Sequence, residues 1–349
     1  MDERLAETVA RLAGCAPGAV EIRLRTALEH QSNRLYEAWA DGRHLIVKEY
    51  LKPEEFSTGP IHEHRALELL APLDVAPRPV GVDEDHGPER GPIVVYEYLE
   101  GEMWGRRTPS ADELRALAEV WLTIDSVSAQ VDWHARGTNR TVAERYARFS
   151  DRLHAFWAWT ESAFPAGTPA ALLCLDVLDR RWPAVHELDA IGEQGMRRSF
   201  GPADTRFANV IRRPDGRIGL VDWEDGGLTD PARDVPGLLS HPDQEDLLTP
   251  VEWLAFLEPY LAVMTPRDPL LPRRIELYLA IDPLFWLSVL VVQEGLRRAE
   301  SGTLEGWTIN GLPANERLRR YLARALAWPD QHFEPALDAV AGLTFFPTG

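Results

Sequence analysis

Cysteine is almost missing from this chain: 349 residues carry two, Cys15 and Cys174. They are far apart and form no Cys-x-x-Cys pair. That excludes a disulfide framework and a structural zinc ribbon, and it makes a reducing, cytoplasmic compartment the expectation. The histidines show no His-Glu-x-x-His or similar spacing, so no zinc site is expected. There is no Gly-x-Ser-x-Gly elbow and no Walker-type phosphate loop. Positive charge is short as well: Lys and Arg number 37 against 55 Asp and Glu, a net charge of −18. Phosphate backbones would be repelled by that charge, and no Lys/Arg run forms a separate basic face, so no nucleic-acid partner is expected. The charge favours a cationic small-molecule partner, although an acidic surface that merely keeps the chain soluble explains it equally well.

Long apolar runs are missing too. The most apolar segment, residues 277–292, is interrupted by Asp282-Pro283. Its unbroken part is about half of the roughly 20 residues that a membrane span requires. It reads as a buried helix, and no membrane partner is expected. The first residues, MDERLAETVARLAG, are acidic and amphipathic and lack the basic start and apolar run of a signal peptide. No internal repeat, low-complexity tract or obligate protein partner is evident.

What is present is a folded, aromatic-rich chain with 45% hydrophobic residues and 12 Trp. Its length exceeds one ordinary core and fits two domains, or two lobes around a cleft. Residues 1–14 read as a helix. Residues 20–50 alternate like strands, with Asp41-Gly42 as a hairpin turn. Residues 61–73 read as a helix ended by Pro77 and Pro79, and residues 92–99 as a buried strand. After Gly101 helical periodicity dominates to the end, interrupted by one stretch, GPADTRFANVIRRPDGRIGLVDWEDGG, over residues 201–227.

That stretch holds the chemistry. NVIRR and IGLVDW are short strands joined by a Pro214-Asp215-Gly216 turn. A hairpin brings Asn209 and Asp222 together as a hard-oxygen pair, the kind that suits Mg²⁺ completed by phosphate oxygens. Asp204, at the other end of the preceding loop, is free to accept a hydroxyl proton. Phosphoryl transfer divides its labour in this way, with a metal neutralising phosphate charge and a carboxylate orienting the nucleophile. Taken singly these residues are ordinary. Asp and Asn are common loop residues, Asp often ends a strand, and Lys48 could be an edge-strand lysine in water.

Asp204-x-x-x-x-Asn209, the hairpin, Asp222-Trp223-Glu224 and Asp230-Pro-Ala-Arg-Asp234 together resemble the aminoglycoside phosphotransferase and choline kinase family. The resemblance implies an α+β, two-lobed protein-kinase-like fold. A small β-rich N-lobe, residues 1–99, would bind nucleotide. A larger, mainly helical C-lobe, residues 100–349, would carry the catalytic loop and substrate site. It implies ATP and Mg²⁺, with Asp204 as catalytic base and Asn209 and Asp222 as metal ligands. Asp230 and Asp234 would brace the catalytic loop. HLIVKEY supplies the phosphate-binding Lys48, and the next helix supplies its partner Glu63, with Glu68 as the alternative. Ser32 and Asn33 stand at the tip of the expected phosphate-covering hairpin, and Glu97, Tyr98 and Leu99 resemble the adenine-binding hinge. The chain departs from the family pattern at Pro202, where a His is usual, and at Gln31-Ser32-Asn33, where glycines are usual. Arg206, two residues after the base, replaces a His and could stabilise the transferring group. The implied activity is ATP-dependent transfer of the γ-phosphoryl group to a hydroxyl of a small molecule, with a cationic aminoglycoside-like or amino-alcohol compound as the candidate acceptor. Glu224, Asp225 and Glu294 are candidates to contact such an acceptor, and a plain surface role accounts for each of them equally well. The rival reading is a nucleotide-binding regulator without turnover. A protein kinase is disfavoured because the interval from Asp222 to Asp234 is too short for an activation segment.

Overall fold

The structure is a computed structural model that describes residues 3–26, 33–51, 59–84, 91–136, 138, 140–327 and 333–347. Ser32, expected at the hairpin tip, lies outside the described residues. The architecture is α+β, as expected: a five-stranded sheet near the N-terminus and a largely helical remainder. By internal packing the chain forms two compact units. A strand-bearing unit comprises residues 1–136, 198–229 and 247–263, and a helical unit comprises residues 137–197, 230–246 and 264–349.

In the strand-bearing unit, α1 (Glu3–Ala13) leads into β1 (Val20–Thr26), β2 (Asn33–Ala40) and β3 (Arg43–Tyr50). Asp41 and Gly42 both take positive φ, 51° and 76°, the two-residue turn that matches strand twist. After α2 (Gly59–Leu70) come β4 (Pro79–Asp83) and β5 (Ile93–Glu97), and the antiparallel order is β1-β2-β3-β5-β4. Period-two alternation sorts the faces of β3. Leu45 and Val47 pack into the core with Leu5, Val9 and Ala10 of α1 and with Ile93 and Val95. Lys48 therefore shares the opposite face with Ile46 and Tyr50. The register sets it opposite Leu35 on one side and Val94 on the other, in the middle of the sheet.

β6 (Glu102–Met103) and α3 (Ala111–Asp125) follow, and Ser110 and Glu113 close a capping box on α3. α4 (Val142–Ala163), whose box is Thr141 and Glu144, and α5 (Thr168–Glu193) pack together in the helical unit. β7 (Ser199–Gly201), β8 (Val210–Arg212), β9 (Ile218–Leu220) and β10 (Gly227–Thr229) return to the strand-bearing unit. β8 and β9 form the expected hairpin, flanked by β6, and β10 pairs with β7. Gly227 is required in β10: a Cβ there would sit 2.4 Å from the Ala135 nitrogen.

α6 (Pro231–Ser240), α7 (Leu254–Met264) and α8 (Leu271–Ser288) follow. α8 runs on through a π-helical segment, Val289–Leu296, into α9 (Arg297–Ser301). This continuous helix is long and apolar enough to cross a membrane, but 61% of its apolar window is buried inside the protein, as in a core helix. The hairpin of β11 (Thr308–Ile309) and β12 (Leu312–Pro313), then α10 (Ala314–Ala327) and α11 (Phe333–Val340), complete the described elements.

Candidate active site

Lys48, Glu63, Asp222 and Glu224, all singled out from the sequence, converge within the strand-bearing unit. Lys48 is 3% exposed, and its Nζ lies 2.5 Å from Asp222 Oδ1, 2.8 Å from Glu224 Oε2 and 3.0 Å from Glu63 Oε2. A buried ammonium is tolerated only when paired. Burial works to lower the Lys48 pKa, but the carboxylates of Asp222 and Glu63 prevail and raise it well above the ordinary value. Glu63 is itself fixed, accepting from the Tyr50 hydroxyl and from the Trp223 N–H at 3.2 Å. Burial pushes its pKa up, with Lys48 opposing and the charges of Asp222 and Glu224 adding to the rise.

The hairpin places the rest. One step beyond the last ladder pair, Val210 with Leu220, the Asn209 carbonyl accepts from Val221 N–H at 3.0 Å. Asp222 follows directly. The chain then alternates: Trp223 is fully buried and stacks on Phe200, while Asp222 and Glu224 both reach Lys48. Asn209 donates its amide to Asp204, 3.1 Å to the carbonyl and 3.3 Å to Oδ2, which leaves its own side-chain oxygen as a ligand atom. Asp204 is raised to about 6, first by burial and then by the charge of Asp222, with Arg206 opposing. For Asp222 burial also pushes upward, but Lys48 holds the carboxylate below its usual value. Ala203 and Asp222 both sit at positive φ, 61° and 68°. Asp tolerates that region, whereas for Ala it costs about 1–2 kcal/mol. Strain of this kind at a non-glycine loop position is characteristic of functional sites.

The remaining candidates fall as follows. Asn33 opens β2, and its amide donates to Glu224 Oε2 at 2.8 Å; its own oxygen is buried without a partner. The N–H groups of Glu97 and Tyr98 already donate to Arg78 and His44 carbonyls, at 2.8 and 2.9 Å. Any hinge contact through an N–H therefore falls to Leu99. The Tyr98 ring stacks on His44 with centroids 4.1 Å apart. In the helical unit Asp230 caps α6, accepting from Ala232 N–H at 2.9 Å, and also binds Arg274; Asp234 is buried. Glu68 pairs with His64, not with Lys48.

Glu224 is the third carboxylate on Lys48, a contact that sequence reading did not foresee. Asp225 pairs with Arg136 at 3.4 Å. Sequence reading also missed Tyr50 as the hydrogen-bond donor that fixes Glu63. A signal was available for the whole cluster, since Lys48 and Lys52 are the only lysines in the chain.

Do these residues fit a divalent cation? Ligand oxygens of Glu63, Asp222 and Glu224 lie within 4.8 Å of one another. Three carboxylates face one ammonium, and Asp204 is destabilised by Asp222 beside it. Glu63 and Glu224 are held by Lys48, whereas Asp222 keeps 35% of its side chain exposed and Asn209 commits only its amide nitrogen, so the Asp222 carboxylate and the Asn209 side-chain oxygen are the hard-oxygen donors that fit Mg²⁺.

The model of the phosphotransferase enzyme family matches residues 23–270, well over half of the sequence. The chain belongs to that family. Solved structures agree with it in fold. A choline kinase from Streptococcus pneumoniae is similar at a TM-score of 0.60 and 20% identity, over 94% of this chain and 99% of that one. A putative aminoglycoside phosphotransferase from Ralstonia eutropha gives 0.61 and 17%, over 97% and 98%. A choline kinase from Cryptosporidium parvum gives 0.62 and 13%, over 97% and 99%. Comparison with curated protein sequences returns no match. This member of the phosphotransferase family thus has the kinase-like fold, with its β-rich region first and its helical region after.

Proposed function

We propose that this phosphotransferase moves the γ-phosphoryl group of ATP to a hydroxyl of a small molecule. The observation that supports it most is the convergence of Lys48, Glu63 and Asp222, with Lys48 and Asp222 in contact across 174 positions of sequence. In this reading residues 1–99 form the nucleotide lobe and residues 100–349 the catalytic and acceptor lobe. Lys48, held by Glu63, binds the α- and β-phosphates, with Ser32 and Asn33 covering them and the Leu99 amide at adenine. Asn209 and Asp222 would hold Mg²⁺, which supplies neutralisation of phosphate charge. Asp204 accepts the proton of the attacking hydroxyl. A carboxylate with a pKa of about 6 is ionised at neutral pH and close to the ideal strength for that task. Arg206, whose charge reaches Asp204 and Asp222, counters the charge that develops on the transferring group. Structures of this fold include a spectinomycin phosphotransferase solved with ADP and spectinomycin, which supports a nucleotide and a small polar acceptor. The net charge of −18 favours an amino-containing acceptor. The two free cysteines fit a cytoplasmic setting.

An ADP-release assay across aminoglycosides, amino alcohols and sugars tests this. The expected result is acceptor-dependent, Mg²⁺-dependent release that disappears in Asp204→Asn. The strained Ala203 after Pro202, and a Lys48 already surrounded by carboxylates, favour a second reading: a nucleotide-binding regulator without turnover. Nucleotide binding without Asp204-dependent transfer to any acceptor would select it.

A further inference from the structure

The helical unit contains a charge cluster built in the opposite sense to that around Lys48. Arg145 lies in the first turns of α4 and Arg233 in the first turn of α6. A helix N-terminus is the positive end of its dipole, the place where a cation is least favoured. Neither guanidinium has a carboxylate within ion-pair distance among the described residues. The one side-chain bond of Arg145 runs to the Tyr278 hydroxyl at 3.4 Å, long for a hydrogen bond. Arg145 Nε and Arg233 Nη1 are buried without a hydrogen-bond partner.

The fully buried arginines among the described residues are treated differently. Arg274 holds Asp230 at 3.0 Å and Asp268 at 2.6 Å, and Arg317 holds Glu245 at 3.0 Å and Asp246 at 3.4 Å. With 55 acidic residues to 37 basic ones, scarcity of acids does not explain the exception. Asp234 and Asp282 act on Arg233 only at longer range, and Asp282 is occupied by the Ser240 hydroxyl. Burial lowers the Arg233 pKa, and the like charge of Arg145 lowers it further. Both side chains are half-buried, and each has a guanidinium nitrogen shut off from solvent without a partner; a cation so placed without a counter-charge works against the fold, and such a liability persists where a ligand supplies the missing group.

We propose that Arg145, Arg233 and the Tyr278 hydroxyl form a binding site for a small oxyanion, a carboxylate or phosphate group. Guanidinium forks match the paired oxygens of either. The site shares no residue with the Lys48 cluster, so it stands or falls separately from the proposed transfer reaction.

Calorimetric titration of the full chain with inorganic phosphate, and separately with succinate, in Mg²⁺-free chloride buffer tests it. At least one anion binds saturably, and the preferred one shows which oxyanion the site takes. Arg145→Met and Arg233→Met each weaken binding about tenfold or more, while Lys48→Met leaves it unchanged. Binding of neither anion, binding that survives Arg233→Met, or binding lost in Lys48→Met overturns the proposal. A second readout needs no ligand. In phosphate- and carboxylate-free buffer the thermal midpoint of Arg233→Met rises above wild type, because an uncompensated charge is gone. A fall, as expected for Arg274→Met, would show that the fold already satisfies Arg233 and would equally overturn the proposal.

Discussion

Lys48 and Arg274 are both buried cations gripped by carboxylates, and their surroundings differ in balance. Arg274 is 1% exposed and uses its fork on Asp230 and Asp268, themselves only 5% and 7% exposed; Asp230 also caps α6. Every group there has a structural partner. Lys48 faces three carboxylates, and one of them, Asp222, keeps 35% of its side chain exposed. That cluster has surplus negative charge, an acid pushed up in pKa beside it, and strained backbone at Ala203 and Asp222. The contrast teaches that burial of a charge says little about its purpose. Completeness of compensation separates a brace from a site awaiting a ligand.

The contrast can be broken by substitution. The largest effect should come from Asp204→Asn, which removes the proton acceptor and lowers phosphoryl transfer about 100- to 10,000-fold, measured as initial rates of ADP release. Next is Arg274→Met, which strands two buried carboxylates and costs about 3–5 kcal/mol of stability, read from urea unfolding. If Arg274→Met instead abolished transfer in a chain of unchanged stability, the division between brace and site would fail.

The pH profile sharpens the comparison. With Asp204 titrating at about 6, kcat/KM should be level above that pH and fall below it as the base takes up a proton. A level profile down to pH 5 would remove Asp204 from that role. The same shift bears on stability. Folded Asp204 keeps its proton to about pH 6, the unfolded chain only to about pH 4. Ionisation therefore works against the fold, fully above pH 6 and not at all below 4. Asp204→Asn should raise stability at pH 8 by about 3 kcal/mol, an advantage that disappears near pH 4. The smallest expected effect is that of Glu224→Gln. It frees Lys48 from one competing carboxylate and should tighten nucleotide binding several-fold in a fluorescence titration; weaker binding would mean that Glu224 assists the phosphates.

Much of this was legible in the sequence because it rests on short-range periodicity. Alternation in HLIVKEY put Lys48 on a strand, helical spacing put Glu63 on the next helix, and the Pro214-Asp215-Gly216 turn joined Asn209 to Asp222. What escaped depends on contacts across long separations. Glu224 is two residues from Asp222 and so emerges on the same side, but nothing local says that Lys48 lies there. β4 was hidden because Pro77 and Pro79 read as the end of a helix; Pro79 is instead tolerated in an edge strand. The neighbouring Arg78 carbonyl takes the Glu97 N–H that hinge reasoning had reserved for adenine. The uncompensated pair Arg145 and Arg233 was invisible for the same reason, since a missing partner can be seen only in three dimensions.

Calorimetry with a non-hydrolysable ATP analogue, with and without Mg²⁺, puts the surplus charge around Lys48 to the test. One molecule should bind per chain only when Mg²⁺ is present, and Lys48→Met should abolish that uptake while remaining folded by circular dichroism. Uptake indifferent to Mg²⁺, or retained without Lys48, would contradict the assignment of this cluster as the nucleotide site.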